Sequence, residues 1–431
     1  MSSVNHEELV ESMRAAYGPV FNTRNYETGL FDDENFKRDP IMIWGAPGIG
    51  KSDVVKSFGR TMAAETAVGT WLDNKYVPTK DGRTFFDWNK SSFLEKKRLL
   101  FDEDFRRKVF IYVDFRLVQC DAVDIRGCLA MTDTDNLLTW KTPLVFLVLC
   151  EKGAAGILFF DEFTCAPPMV QTTCLQPLLD HSVGDNGLQR DVYILAAGNT
   201  AEHRASVYEM SAPVANRFCH AWLSAPSVKD WAKNYAYGHG VDDRIIAYLM
   251  WKPDAFISDA KCIKDAKNQA FATARSWVMA SRQIRGLSVD KCRMPVSNCV
   301  GDANGSNFVA FLKVYKTINV NEIFENPTAA IKKYGKDSQL LWALTSVVTS
   351  RYVEEPKLFP KVMEIVEGLW NTADWNDYAV ALMQMVRHCS LHCGHSVESF
   401  SKQILKFPKY MKTLAVMDKF LGKDSDVQLE A

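Results

Sequence analysis

IMIWGAPGIGKS, residues 41 to 52, is a short apolar β-rich run that passes into glycines and then into Lys51 and Ser52. Gly45, Gly50, Lys51 and Ser52 fit the spacing G-x-x-x-x-G-K-[ST], the pattern of a phosphate-binding loop. Each residue type has a physical reason to be there. Glycines let the backbone turn tightly and bring several N–H groups against phosphate oxygens at the start of the following helix, where the helix dipole also favours an anion. Lys51 brings a point charge to the β- and γ-phosphates, and the Ser52 hydroxyl is a ligand type for Mg²⁺. The whole stretch Gly45, Ala46, Pro47, Gly48, Ile49, Gly50, Lys51, Ser52 and Asp53 is therefore the candidate nucleotide-binding segment. The sequence DVVKSF that begins at Asp53 continues it as a helix.

The chain has 431 residues, enough for two or three domains with cores of their own, and is 47% hydrophobic and 24% charged, as soluble globular proteins are. A formal net charge of -1 gives no global basic field, which argues against nucleic acid or an anionic membrane as the main partner. Eleven cysteines, an odd number scattered through apolar segments, fit reduced thiols in a cytoplasmic protein better than a disulfide framework. No apolar signal core stands at the N-terminus, and the longest apolar run, Leu144 to Cys150, is far short of a membrane span.

Three further apolar runs read as strands buried on both faces of a parallel sheet. Val109 to Val113 leads into the polar segment Asp114 to Gly127, DFRLVQCDAVDIRG. Gly156 to Glu162, GILFFDE, ends in two carboxylates: Asp161 to hold Mg²⁺ directly or through water, and Glu162 to polarise an attacking water. Val192 to Asn199, VYILAAGN, ends in a carboxamide able to place that water or the γ-phosphate, or simply to cap a turn. ANRF, residues 215 to 218, precedes a fourth apolar stretch, Cys219 to Leu223, and brings Arg217 within range of a neighbouring subunit's phosphate site.

The order GAPGIGKS, ILFFDE, AAGNT, ANRF resembles the AAA+ ATPases, and within them the MoxR group, particularly its phage- and bacteria-encoded relatives. The likeness covers roughly residues 38 to 315 well and the C-terminal part weakly. It implies Walker A at Gly45 to Ser52, Walker B at Asp161 and Glu162, sensor 1 at Asn199, a trans-acting arginine finger at Arg217, and sensor 2 at Arg275 within FATARSWVMASRQI. ATP and Mg²⁺ are the cofactors it implies. Catalysis would fall to Lys51, Glu162, Asn199 and Arg217, metal binding to Ser52 and Asp161. Two departures matter. Ala274 stands where the family often has proline, and the hairpin between Walker B and sensor 1, about His181 to Asp191, is short. Arg204 competes with Arg217 for the finger, the ANRF context favouring Arg217.

The fold expected is α/β: a P-loop αβα parallel sheet followed by an all-α lid and a C-terminal helical region. Residues 1–38 read as an amphipathic helix (Leu9, Met13, Ala16, Tyr17) and linker, 39–224 as the nucleotide-binding domain, 225–315 as the lid and 316–431 as helical packing. Thr70 to Arg107 reads as an insertion or long hairpin, and DANGS at Asp302 to Ser306 as a turn-rich break. The stripes Leu340, Leu341, Leu344, Val347, Val348, then Val362, Ile365, Val366, Leu369, then Tyr378, Ala381, Leu382, Met385, Val386 read as core. His388, Cys389, His392 and Cys393 carry zinc-type ligands, yet on adjacent faces of one helix they read better as a solvent-facing helix end. The function expected is a ring-forming ATPase, hexameric by the resemblance, that remodels or assembles a client protein, contacted at Cys120 to Gly127. A von Willebrand A-type partner and a bacterial cytoplasm, host or phage encoded, belong to the same reading. The alternatives are a nucleic-acid motor using a basic strip of Lys96, Lys97, Arg98, Arg106, Arg107 and Lys108, or a nucleotide-dependent structural switch.

Overall fold

Runs of branched and aromatic residues with no polar face can only be strands covered on both sides, and four such runs lie at the centre of the sheet. The computed structural model describes residues 3–17, 39–65, 67–72, 75–131, 138–200, 207–259, 262–263, 269–315, 317–372 and 375–392. They divide into two compact units, Met1–Ala225 and Pro226–Ala431.

In the first unit six strands form one sheet: β1 (Ile41–Trp44), β2 (Thr84–Asp87), β3 (Val109–Arg116), β4 (Gly156–Asp161), β5 (Val192–Gly198) and β6 (Cys219–Trp222), in the order β6-β1-β5-β4-β3-β2. Every pairing is parallel, with Ile41 opposite Leu195, Leu195 opposite Phe159, and Val113 opposite Leu158. The αβα parallel sheet read from the sequence is thus the architecture of this unit.

Alternation along the strands divides the core between two faces. Ile43, Tyr112, Ile157, Phe159, Tyr193 and Leu195 pack with helices α1 (His6–Tyr17) and α2 (Lys51–Glu65). Met42, Ile111, Val113, Leu158, Phe160 and Ile194 pack on the other face with helices that include Leu144–Cys150 and Pro168–Thr173. Leu9, Met13 and Tyr17 of α1 are fully buried, so the expected stripe on this helix is its packing face. At about 25 cal/mol per Å² of apolar surface, three such side chains contribute several kcal/mol to holding α1 on the sheet.

The stretch from Thr70 to Arg107 is more than a hairpin. Ala67–Leu72 and Lys75–Gly82 do pair antiparallel, but Thr84–Asp87 then joins the main sheet as an edge strand beside β3. Only Phe86 of its residues is buried, so an edge position leaves it no hydrophobic run to read. The helices Phe93–Phe101 and Glu103–Arg107 follow it. Two further hairpins branch from the unit: Cys128–Met131 with Leu138–Lys141, and the short Ser182–Val183 with Asn186–Gly187.

The second unit is helical throughout its described residues, built on one continuous core that runs from Val228 to Val386. The three apolar stripes read from the sequence lie on helices Ser338–Glu354, Phe359–Trp370 and Asn376–His392, and most of their residues are buried. DANGS is not a break. The helix Asp302–Tyr315 begins at its first residue, and the chain turns one position earlier, at Gly301 with φ +91°. Gly305 stays inside the helix because a Cβ there would stand 2.1 Å from Ser297 Oγ, so two helices cross where only glycine fits. Cys393 lies outside the described residues, as do the side chains of His388, Cys389 and His392. Among the described residues no cluster of three His, Cys, Asp or Glu is placed to hold a metal, and no helix is long and apolar enough to cross a membrane.

Candidate functional site

The carboxyl ends of three adjacent strands, β1, β5 and β4, supply the candidate residues, the edge at which open α/β sheets place ligands. β1 ends at Trp44 and the chain turns through residues 45 to 50, where Gly48 (φ +76°) and Gly50 (φ +96°) take a backbone conformation open mainly to glycine. Lys51 then opens α2.

Lys51 is only 9% exposed, and a buried ammonium needs oxygen partners in place of water. Its Nζ donates to Gly45 O at 2.8 Å, to Ala46 O at 2.9 Å and to Asn199 Oδ1 at 2.8 Å. One cation thus ties the loop after β1 to the residue after β5. Ser52 Oγ donates to Asp161 Oδ2 at 2.7 Å, which joins the first turn of α2 to the end of β4. A hydroxyl and a carboxylate side by side are a hard-oxygen pair, and Mg²⁺, which keeps several waters and takes one or two carboxylates besides phosphate oxygens, fits that donor set.

Glu162 is exposed and holds φ +55°, a left-handed conformation that costs a non-glycine residue on the order of 1 kcal/mol. Its N–H donates to Asp161 Oδ1 at 2.9 Å. The carboxylate pair therefore sits on a strained turn at the strand end. Asp53 is exposed in the first turn of α2.

Residues the sequence reading passed over complete the surroundings. Thr164, 1% exposed, uses its hydroxyl twice on Asn199: it accepts from the Asn199 N–H at 3.0 Å and donates to the Asn199 carbonyl at 3.0 Å. The signal available was one hydroxyl inside the apolar run after Glu162. Asp114, near the end of β3, is flanked by Asn89, which exchanges two hydrogen bonds with its backbone at 2.8 and 3.1 Å. Burial pushes the Asp114 carboxyl above the usual carboxylate range, and the charge of Asp161 adds to the shift. Its Oδ1 is buried without a hydrogen-bond partner among the described residues. Tyr112, on the same strand, is also raised, first by burial and then by Asp114.

The remaining candidates stand apart from this group. Arg217 lies between the helix Ala212–Ala215 and β6, where it donates to Pro213 O at 2.7 Å; among the described residues no bond joins it to Lys51, Ser52, Asp161 or Asn199. Arg275 is exposed in the first turn of the helix Ala274–Ile284, in the second unit. Thr273 caps that helix through its side chain, so it starts without the proline expected there. Arg204 lies outside the described residues.

Of the six residues read as a basic strip for nucleic acid, Lys97, Arg98 and Lys108 are exposed and Lys96 is half-buried, whereas Arg106 and Arg107 are withdrawn from the surface. Arg106 and Arg107 are 3% and 7% exposed. Arg106 donates to the carbonyls of Leu99, Leu100 and Lys152, while Arg107 pairs with Glu103. Lys96 rests over Trp88 and Lys97 over Phe101.

No protein-family model and no curated protein matches the chain. Among solved structures, a RuvB mutant from Thermotoga maritima aligns at 11% identity over 78% of this chain and 84% of its own, with a TM-score of 0.30. The Aeropyrum pernix ORC1 protein in complex with DNA aligns at 12% identity over 85% and 84%, with a TM-score of 0.34. PCH-2 from C. elegans aligns at 12% over 72% and 68%, with a TM-score of 0.30. Likenesses this distant carry no argument about activity, which rests on the site itself.

Proposed function

We propose that this chain is an AAA+ ATPase of MoxR type that forms a ring, hexameric by the family resemblance, and uses ATP hydrolysis to remodel or assemble a client protein. The observation that supports it most directly is the pair of cross-strand bonds, Lys51 Nζ to Asn199 Oδ1 and Ser52 Oγ to Asp161 Oδ2, both 2.8 Å or shorter. A structural glycine turn has no use for a buried lysine aimed at a carboxamide at the end of the neighbouring strand. A phosphate site has.

In this reading the N–H groups of the loop, to which Pro47 contributes none, and the Lys51 ammonium receive the phosphates, and Arg275 keeps the sensor 2 role that the resemblance implies. Ser52 and Asp161 would hold Mg²⁺, whose charge neutralises the phosphate oxygens when bound. Glu162 accepts the proton of the attacking water, and Asn199, fixed by Thr164, orients that water or the γ-phosphate. Arg217 of a neighbouring subunit stabilises transition-state charge, which makes oligomerisation a condition of turnover. Client contact falls to Cys120 to Gly127 and the hairpin beside it, where Val123, Leu129, Met131 and Leu138 are all more than half exposed, 53% to 66%. A von Willebrand A-type protein is one partner class the resemblance supplies.

The test is Glu162→Gln, which should bind ATP without hydrolysing it. Proteins that co-purify from the native cell only when ATP is present, identified by mass spectrometry, would support client remodelling. Nucleic acid recovered in their place would shift the assignment to a motor. A variant that hydrolyses ATP at the wild-type rate would remove Glu162 from the mechanism.

A further inference from the structure

The residues that precede the sheet bond to its edge strand β6 and reach the phosphate loop. Val4 N–H donates to Trp222 O at 2.8 Å and Ser224 N–H to Val4 O at 2.9 Å, a parallel bridge alongside Leu223. The Leu223 carbonyl in turn faces Gly45, where a Cβ would stand 3.0 Å from it. Two residues further on, His6 Nε2 lies 2.9 Å from the Ile49 carbonyl oxygen. A carbonyl only accepts, so Nε2 carries the proton of this bond.

His6 is not held there loosely. Asn5 and Glu8 cap α1 reciprocally, Asn5 N–H to Glu8 Oε2 at 2.7 Å and Glu8 N–H to Asn5 Oδ1 at 2.9 Å. The buried Tyr17 donates its hydroxyl to Ile194 O at 3.0 Å at the far end, and Arg14 pairs with Glu65 of α2 at 2.6 Å. The imidazole is thus delivered to the loop by a helix anchored in the sheet core.

A trans peptide is planar, with its C=O and N–H on opposite sides. Holding the Ile49 oxygen on the His6 side therefore turns the Gly50 N–H to the other side. A glycine at φ +96° has little steric preference of its own to fix that peptide, so the bond from His6 decides its orientation. We infer that His6 is a positioning residue for nucleotide phosphate, acting through the Ile49–Gly50 peptide to present the Gly50 N–H to a phosphate oxygen. The inference rests on the nucleotide-site reading above and deepens it.

The experiment measures ATP and ADP binding to the full chain by titration calorimetry, with melting temperature and steady-state ATPase recorded for each variant. Wild type and Lys51→Ala come first: a wild type that binds no nucleotide, or a Lys51→Ala that binds as well as wild type, refutes the nucleotide site itself whatever His6 does. With that site established, His6→Ala should weaken ATP and ADP about five- to tenfold, the weight of one hydrogen bond. KM should rise by a similar factor while kcat changes less than about twofold, the signature of lost uniform binding. His6→Gln places an amide N–H at nearly the reach of Nε2 and should restore affinity to within about twofold of wild type. Wild-type affinity in His6→Ala overturns the inference, and so does a His6→Gln as weak as His6→Ala. Should the alanine variant fail to fold, His6→Leu, which keeps bulk and lacks a donor, takes its place and is read in the same way.

Discussion

Thr164→Val removes a hydroxyl and keeps the shape, so its effect measures how far Asn199 depends on a second residue to hold its place. The hydroxyl makes two bonds to the Asn199 backbone, both at 3.0 Å, from a side chain 1% exposed. Each net hydrogen bond is worth about 1 kcal/mol, and the two Asn199 groups left without a partner are half-buried, so water restores part of the loss. The expected destabilisation is about 2 kcal/mol. In a unit of roughly this size each kcal/mol moves the melting point by about 2–4 °C, which places the variant about 4–8 °C below wild type. Because Asn199 Oδ1 also accepts from Lys51 Nζ at 2.8 Å, ATP turnover should fall about tenfold, equivalent to about 1.4 kcal/mol of transition-state stabilisation. Thermal unfolding and steady-state ATPase of the full chain supply both readings, with Thr164→Ser as the control that keeps the hydroxyl. Thr164→Val melting within 1 °C of wild type with full turnover refutes the positioning argument, as does Thr164→Ser proving as inactive as Thr164→Val.

Arg217→Ala should lose about a thousandfold or more in ATPase with nucleotide affinity unchanged, and mixing it with Glu162→Gln should restore part of the activity, since each subunit then supplies what the other lacks; mixed rings as inactive as either parent would exclude action in trans. Asp114 gives a pH-dependent prediction. Its folded-state pKa is raised above the ordinary 3.8, so the carboxyl is protonated in both states below that value and the stability penalty is absent there. As pH rises towards the folded pKa the unfolded chain releases its proton first and stability falls, the penalty being complete above the folded pKa. Asp114→Asn, melted in metal-free buffer, should therefore be more stable than wild type at neutral pH and level with it at about pH 4. A variant less stable at neutral pH would mean that the charge is compensated by its surroundings.

What the sequence made legible is what burial makes periodic or motif-bound. β3, β4 and β5 were readable because most of their residues are buried on both faces, which leaves an unbroken apolar run. Thr84–Asp87 was not, because an edge strand with one buried residue has no such run. Asp302 to Ser306 misled for a local reason: asparagine and glycine are turn formers, yet Gly305 is needed for a helix crossing that no local pattern records. The candidate site divides in the same way. Lys51, Ser52, Asp161 and Asn199 stand at fixed offsets from strand ends, whereas Thr164 and His6 matter through partners 35 and 43 positions away and carry no spacing of their own.

The choice between a protein client and nucleic acid as the working partner turns on where the cations go. Salt-dependent binding to a phosphate backbone needs several solvated Lys or Arg groups that release counterions together. Around the helix Phe93–Phe101 three of those groups are engaged in other ways. The Arg106 guanidinium lies against three carbonyls, Arg107 against Glu103, and Arg98 against Asp102 and the Phe105 ring. What the same helix does present to solvent is apolar: Phe93, Leu94 and Phe101 are 67%, 77% and 74% exposed. Two buried arginines and three exposed apolar side chains are the features of this helix that favour the proposed protein client over a phosphate backbone. With Arg106 and Arg107 buried, a polyanion would meet chiefly Lys97, Arg98 and Lys108 here, so its binding should show a shallow dependence on salt, and a steep one would favour the motor reading.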